Sequence, residues 1–258
     1  MAYIIAITGK GGVGKTTISA MLVQYLLKID KPVLAVDADP NSNLNVALGM
    51  KYEETIADIR EEVKKQTPDS FSKSEFFGLR LEEAIAEGNG FDLLVMGRPE
   101  GPGCYCAINN ILREYLAKAA KNYKFVVIDN EAGMEHLSRR TTNDIDFLLL
   151  VSDPTIVGIN SAINVYNTAK SAGIKIKDTV LVINKSKAGL EKNKLKLIEN
   201  AGLRIGGYIP FQEEIEKNSE EGSMVKTEIA SSSPLQTKGW ASSAVFDSLL
   251  AMTSNKGA

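Results

Sequence analysis

The residues best equipped for chemistry stand together near the start of the chain. Gly9-Lys10-Gly11-Gly12-Val13-Gly14-Lys15-Thr16 puts a cation and a hydroxyl directly after a run of glycines, with Thr17 continuing it. Glycines let backbone N–H groups turn inward around phosphate oxygens. Lys15 would neutralise β- and γ-phosphate oxygens, and Thr16 would place its hydroxyl on Mg²⁺. The spacing matches G-x-x-x-x-G-K-[ST], a loop that cradles ATP or ADP when it lies between a strand and a helix. Both neighbours are expected here. Residues 3–8 form an apolar run, and Ile18, Met21, Leu22, Tyr25 and Leu26 follow the helical period. The helix start adds its partial positive charge.

Other strand-like runs end in residues that suit the same ligand. The C-terminal ends of parallel strands face the ligand crevice. Residues 32–37 run into Asp37-Ala38-Asp39-Pro40-Asn41-Ser42-Asn43, so two carboxylates leave the sheet there. Hydrolysis needs a group that orients the attacking water, but either Asp could instead cap the next turn. Phe125-Val126-Val127-Ile128-Asp129 is an apolar strand ending in a carboxylate able to hold a Mg²⁺-bound water. That Asp could also be a plain helix cap. Gly133 could bring a backbone N–H to the γ-phosphate. Val180-Leu181-Val182-Ile183-Asn184-Lys185 ends in an amide that donates and accepts, as the N6/N7 edge of adenine demands. Asn184 equally fits a turn without a ligand. Ile209-Pro210-Phe211 could wall a base.

Positioning these groups takes alternating strands and helices. Residues 3–8, 32–37, 91–96, 125–129, 147–151, 180–184 and 204–209 are apolar without strict alternation, as strands buried on both faces should be. Helical periodicity covers 18–26, 108–116 and 159–169. The expectation is an α/β fold: a doubly wound, mostly parallel central sheet of about seven to eight strands flanked by helices. No composition break divides residues 1–258, so a single domain is expected. The charged stretch 51–89 reads as a surface helical insertion, either a solvated face or a partner contact.

Composition narrows the function classes. The 258 residues carry 30 basic and 32 acidic side chains, a net charge of −2, so no broad basic field favours nucleic acid or an anionic membrane. No apolar run approaches bilayer length. The N-terminal run leads straight into the glycine loop and reads as a first strand, not a signal peptide. The expected setting is the cytoplasm.

The two cysteines, Cys104 and Cys106, precede a helical pattern. A helix start favours thiolates, which select soft or borderline metals. Two thiolates make half of a closed four-ligand site. A two-fold axis near this loop would bring two C-x-C pairs together. Chance adjacency of two buried cysteines is the plain alternative. His136, the one histidine, is more often a helix-face residue than a ligand.

The second position of the phosphate loop is Lys10, giving G-K-G-G-V-G-K-T-T. That resembles the deviant Walker A loop of the MinD/ParA/nitrogenase-iron-protein class. The resemblance implies that Lys10 reaches across a dimer interface to the partner's nucleotide and is catalytic there. It also implies that Asp39, in the D-x-D-P switch, orients water, that Asp37 lies near the Mg²⁺ shell, and that Asn184 reads the base. With D-A-D-P at 37–40, C-Y-C at 104–106 and D-N-E-A-G-M-E-H-L at 129–137, the chain resembles the CooC/AcsF family of nickel-insertion ATPases. These serve the maturation of carbon monoxide dehydrogenase and acetyl-CoA synthase. The likeness implies a homodimer that forms or tightens with ATP and binds Ni²⁺ (or Zn²⁺) through Cys104 and Cys106 of both subunits. Hydrolysis would be coupled to delivery into one of those client enzymes. Two rivals stay open. One is an iron–sulfur electron-transfer ATPase like the nitrogenase iron protein, although Ala132 stands where its second ligand cysteine is expected. The other is a MinD/ParA-like positioning ATPase, although residues 240–254 form no basic amphipathic helix.

Overall fold

Eight strands build one sheet among the described residues: β1 (Tyr3–Gly9), β2 (Val33–Ala38), β3 (Ala86–Glu87), β4 (Phe91–Val95), β5 (Phe125–Asn130), β6 (Asp144–Ser152), β7 (Lys175–Ile183) and β8 (Ile205–Tyr208). The order is β3-β4-β2-β5-β1-β6-β7-β8. All pairs are parallel except the short β3–β4 edge. The structure is a computed structural model that describes residues 2–98, 114, 115, 118, 121–133, 144–187 and 189–225. Cys104, Cys106, His136 and the stretch 240–254 lie outside the described residues. So does the expected helix over 108–116, except at Glu114 and Tyr115, which are helical.

The central strands are apolar on both faces because both faces are covered. Ile5, Ile7, Val127, Phe147 and Leu149 face α1 (Lys15–Ile29) and α2 (Leu44–Leu48). Leu34, Val36, Val126 and Ile128 face α3 (Ile56–Lys65) and α4 (Lys73–Glu83). On that same side, Leu148, Leu150 and Leu181 face α5 (Ile156–Ser171) and α6 (Lys192–Asn200). Among the described residues, a further helix, α7 (Glu213–Glu220), follows β8.

The stretch 51–89 does more than decorate the surface. Ile56, Ile59, Val63 and Leu81 are buried against β2 and β5, so α3 and α4 form the covering layer for half of one sheet face. Capping boxes at Thr55/Asp58 and Ser72/Glu75 start the two helices. Arg80 of α4 pairs with Glu54 and Glu62 at 2.6 and 2.9 Å and ties the layer together. The charges seen in the sequence are the outer face of that layer. No helix among the described residues is long and apolar enough to cross a membrane.

Candidate functional site

The phosphate loop leaves β1 at the centre of the sheet and enters α1. Gly14 sits at the N-cap with φ +90, and α1 starts with no side-chain cap and no acidic residue in its first turn. Its first N–H groups and positive helix end are therefore left to an anion. A Cβ at Gly14 would meet the Asn184 amide nitrogen at 2.4 Å, so this position demands glycine for space as well as for φ. Lys15 is only 7% exposed, and its Nζ donates to the Lys10 carbonyl at 3.4 Å. The Lys10 side chain is exposed.

Beside this loop lies a cavity of about 740 Å³. Gly11, Gly12, Gly14, Lys15, Thr16 and Thr17 line its phosphate end, with Asp39 and Ala132 facing them. Asn184, Lys185, Pro210 and Phe211 line the other end. Most of the nucleotide residues expected from the sequence thus meet at one cavity. Gly9 and Val13 act from behind it. The Gly9 carbonyl accepts from the Gly133 N–H (3.3 Å), and the Val13 carbonyl accepts from the Asn184 amide (2.7 Å). One N–H of the expected base reader therefore holds the phosphate loop.

Beneath the loop are two carboxylates from adjacent strands, Asp37 and Asp129, in direct register. Asp37 is fully buried, and Asp129 is 1% exposed. Burial, and then the charge of Asp129, push the Asp37 carboxyl up to about 7. Burial pushes Asp129 up to about 6, while hydrogen bonds from Thr16 and Ser19 pull the other way. Ser19 Oγ lies 3.0 Å from Asp129 Oδ1. Two adjoining buried carboxylates beside a threonine hydroxyl form a hard oxygen set suited to a divalent cation. The residues present therefore fit a Mg²⁺-bound nucleotide.

Both Asp residues of the D-A-D-P segment also shape their own loop. Asp37 accepts from the Leu44 and Asp39 N–H groups at 2.9 and 3.1 Å and so caps α2. Asp39 Oδ1 accepts from the Asn41 backbone and side chain at 2.9 and 3.0 Å. Asp39 reaches the cavity wall, whereas Asp37 lies behind it.

Sequence reasoning missed several wall residues. Val46 and Ala47 of α2, Ile215 of α7 and Val225 after it line the base end. The Val225 N–H donates to the Ala47 carbonyl at 3.0 Å. Nothing local in the sequence marks that contact. Ser19 was also missed, though its spacing from Lys15 puts both on one helix face. Glu131, inside the quoted D-N-E-A-G motif, lines the phosphate end too.

This geometry agrees with the comparisons to known proteins. The description "CobQ/CobB/MinD/ParA nucleotide binding domain" matches residues 4–225. The chain belongs to that family. Within it, an uncharacterized ATP-binding protein of Methanocaldococcus jannaschii is 42% identical over 224 residues, covering 85% of this chain and 88% of that protein. The carbon monoxide dehydrogenase accessory protein CooC of Rhodospirillum rubrum is 34% identical over 185 residues, covering 66% of this chain and 70% of that protein. Septum site-determining protein MinD of Pyrococcus horikoshii, solved with Mg-ADP, shares the fold at a TM-score of 0.63. It is 24% identical and covers 87% of each chain. The family fold and nucleotide binding are thereby established.

Proposed function

We propose that this chain is an ATP-hydrolysing metallochaperone that dimerises with ATP and carries Ni²⁺ on Cys104 and Cys106 of both copies. The cluster of buried Asp129 and Ser19 with half-buried Thr16, at an uncapped helix start, carries the nucleotide half of this reading. Lys15 and the loop N–H groups bind the phosphates. Mg²⁺, when bound with the nucleotide, neutralises phosphate charge beside Thr16 and Asp129. Asp39 orients the attacking water from the cavity wall. The Gly133 N–H, bonded here to Gly9, turns to the γ-phosphate when a triphosphate competes for it. Asn184, Lys185, Pro210 and Phe211 receive the base.

Lys10, exposed beside the cavity, neutralises the nucleotide of the second copy, so two chains close on two nucleotides. Closure brings two thiol pairs to one ion, and loss of the γ-phosphate contacts loosens the pair and frees it. The cargo half is supported by the C-x-C pair and by the likeness to the carbon monoxide dehydrogenase accessory protein. The client is then carbon monoxide dehydrogenase or acetyl-CoA synthase.

The test pairs two variants in nickel-binding and ATPase assays. Cys104→Ser should lose nickel and keep nucleotide affinity. Lys10→Ala should lose the rise in hydrolysis per chain with protein concentration. Unchanged nickel stoichiometry in Cys104→Ser would remove the cargo; brown colour with charge-transfer absorption would favour an iron–sulfur centre instead.

A further inference from the structure

Ser19 is fully buried one helical turn beyond Lys15 and Thr16 and does not line the cavity. Its hydroxyl carries one proton and stands 3.0 Å from two acceptors, the Lys15 carbonyl and Asp129 Oδ1. The Lys15 carbonyl lies within the helix ladder. Asp129 ends a different element, β5, and no covalent link holds its carboxylate over the phosphate loop. A hydrogen bond to a charged acceptor is the stronger of the two. Donation to Asp129 therefore wins whenever that carboxylate is ionised.

From this we infer that Ser19 is a positioning residue for the divalent cation that accompanies the nucleotide. By fixing Asp129 Oδ1, it sets the carboxylate plane and leaves the remaining lone pairs for the water shell of the ion. Thr16 also bonds Asp129, but its oxygen is the one expected on the cation. Ser19 is then the donor whose only office is orientation. The inference rests on the nucleotide reading above and adds a residue to it.

Binding of a fluorescent ADP, titrated with Mg²⁺, tests it without relying on hydrolysis. Ser19→Ala should raise the half-saturating Mg²⁺ about tenfold, which corresponds to about 1.4 kcal/mol. Affinity for the same ADP in chelator should stay within about twofold of wild type, because the phosphate loop itself is untouched. Ser19→Thr, which keeps the hydroxyl, should restore the Mg²⁺ response. An unshifted Mg²⁺ requirement in Ser19→Ala would overturn the inference even if Ser19→Thr failed to fold. So would an equal loss with and without Mg²⁺, the mark of a purely structural serine. Wild-type binding that ignored Mg²⁺ would remove the cation and the reading beneath the inference together.

Discussion

The two ends of the cavity are built differently. Behind the phosphate end, Lys15, Ser19, Asp37 and Asp129 are all less than a tenth exposed, and side-chain hydrogen bonds tie α1 to β5 and α2 to β2. At the base end, Lys185 is exposed with a left-handed φ of 55, and Phe211 is 38% exposed. That end is tied by backbone bonds such as Val225 to Ala47, with Gln24 donating to the Val225 carbonyl at 2.7 Å. One end is preset by charge in a dry setting. The other is a wall of loop and apolar surface. Preset charge costs little to reorganise on binding, so the phosphates should dominate affinity and the base should tune it.

Substitutions along the cavity can break that contrast. The largest effect should come from Lys15→Ala, which removes the buried cation: nucleotide affinity should fall by about a hundredfold or more in a titration calorimeter. A loss no greater than that at the base end would refute the asymmetry. Next, Asp129→Asn should slow hydrolysis about a hundredfold while metal-free ADP binding holds, since it spares every phosphate-facing N–H. Retained hydrolysis would remove Asp129 from the metal side.

The pH response should be smaller and its sign is fixed. Burial pushes the Asp37 and Asp129 carboxyls up to about 7 and about 6, above the ordinary carboxylate range. Between about pH 4 and 7 the folded chain therefore holds protons that the unfolded chain has released, so its stability falls as pH rises across that window. A cation favours the ionised forms, so Mg-ADP binding should tighten from about pH 5.5 to 7.5 with net proton release. Calorimetry in buffers of different ionisation heat reads this directly. Proton uptake would contradict the buried pair. The smallest effect should be Phe211→Ala, about two- to fivefold on affinity, because the ring is already part-exposed.

The same contrast explains what could be read from sequence. The phosphate loop was legible because its chemistry is local: glycines, a lysine and a threonine between a strand and a helix. Asp129 was legible as the polar end of an apolar run. The base end was only half legible, since Val46 and Val225 meet through folding and not through spacing. Asp37 shows the limit most clearly. Its type suggested a metal neighbour or a turn cap, and the fold makes it a buried cap in register with Asp129.

Among the strands, all seven expected runs are present. β7 starts earlier than its apolar run because Lys175, Lys177 and Asp178 sit at its half-exposed beginning. β3, at two residues, is too short to leave a pattern. The charges of 51–89 hid an apolar face that only the helical spacing of Ile56, Ile59 and Val63 betrays.

In the proposed cycle, ATP pairs two copies over a single ion. Sedimentation equilibrium with nickel analysis, run in a non-hydrolysable ATP analogue, measures both at once. The expected result is a dimer holding one Ni²⁺ per two chains, and monomer without the ion in Cys104→Ser carrying Lys10→Ala. A chain that stayed monomeric with the analogue bound, or held one nickel per chain, would contradict it.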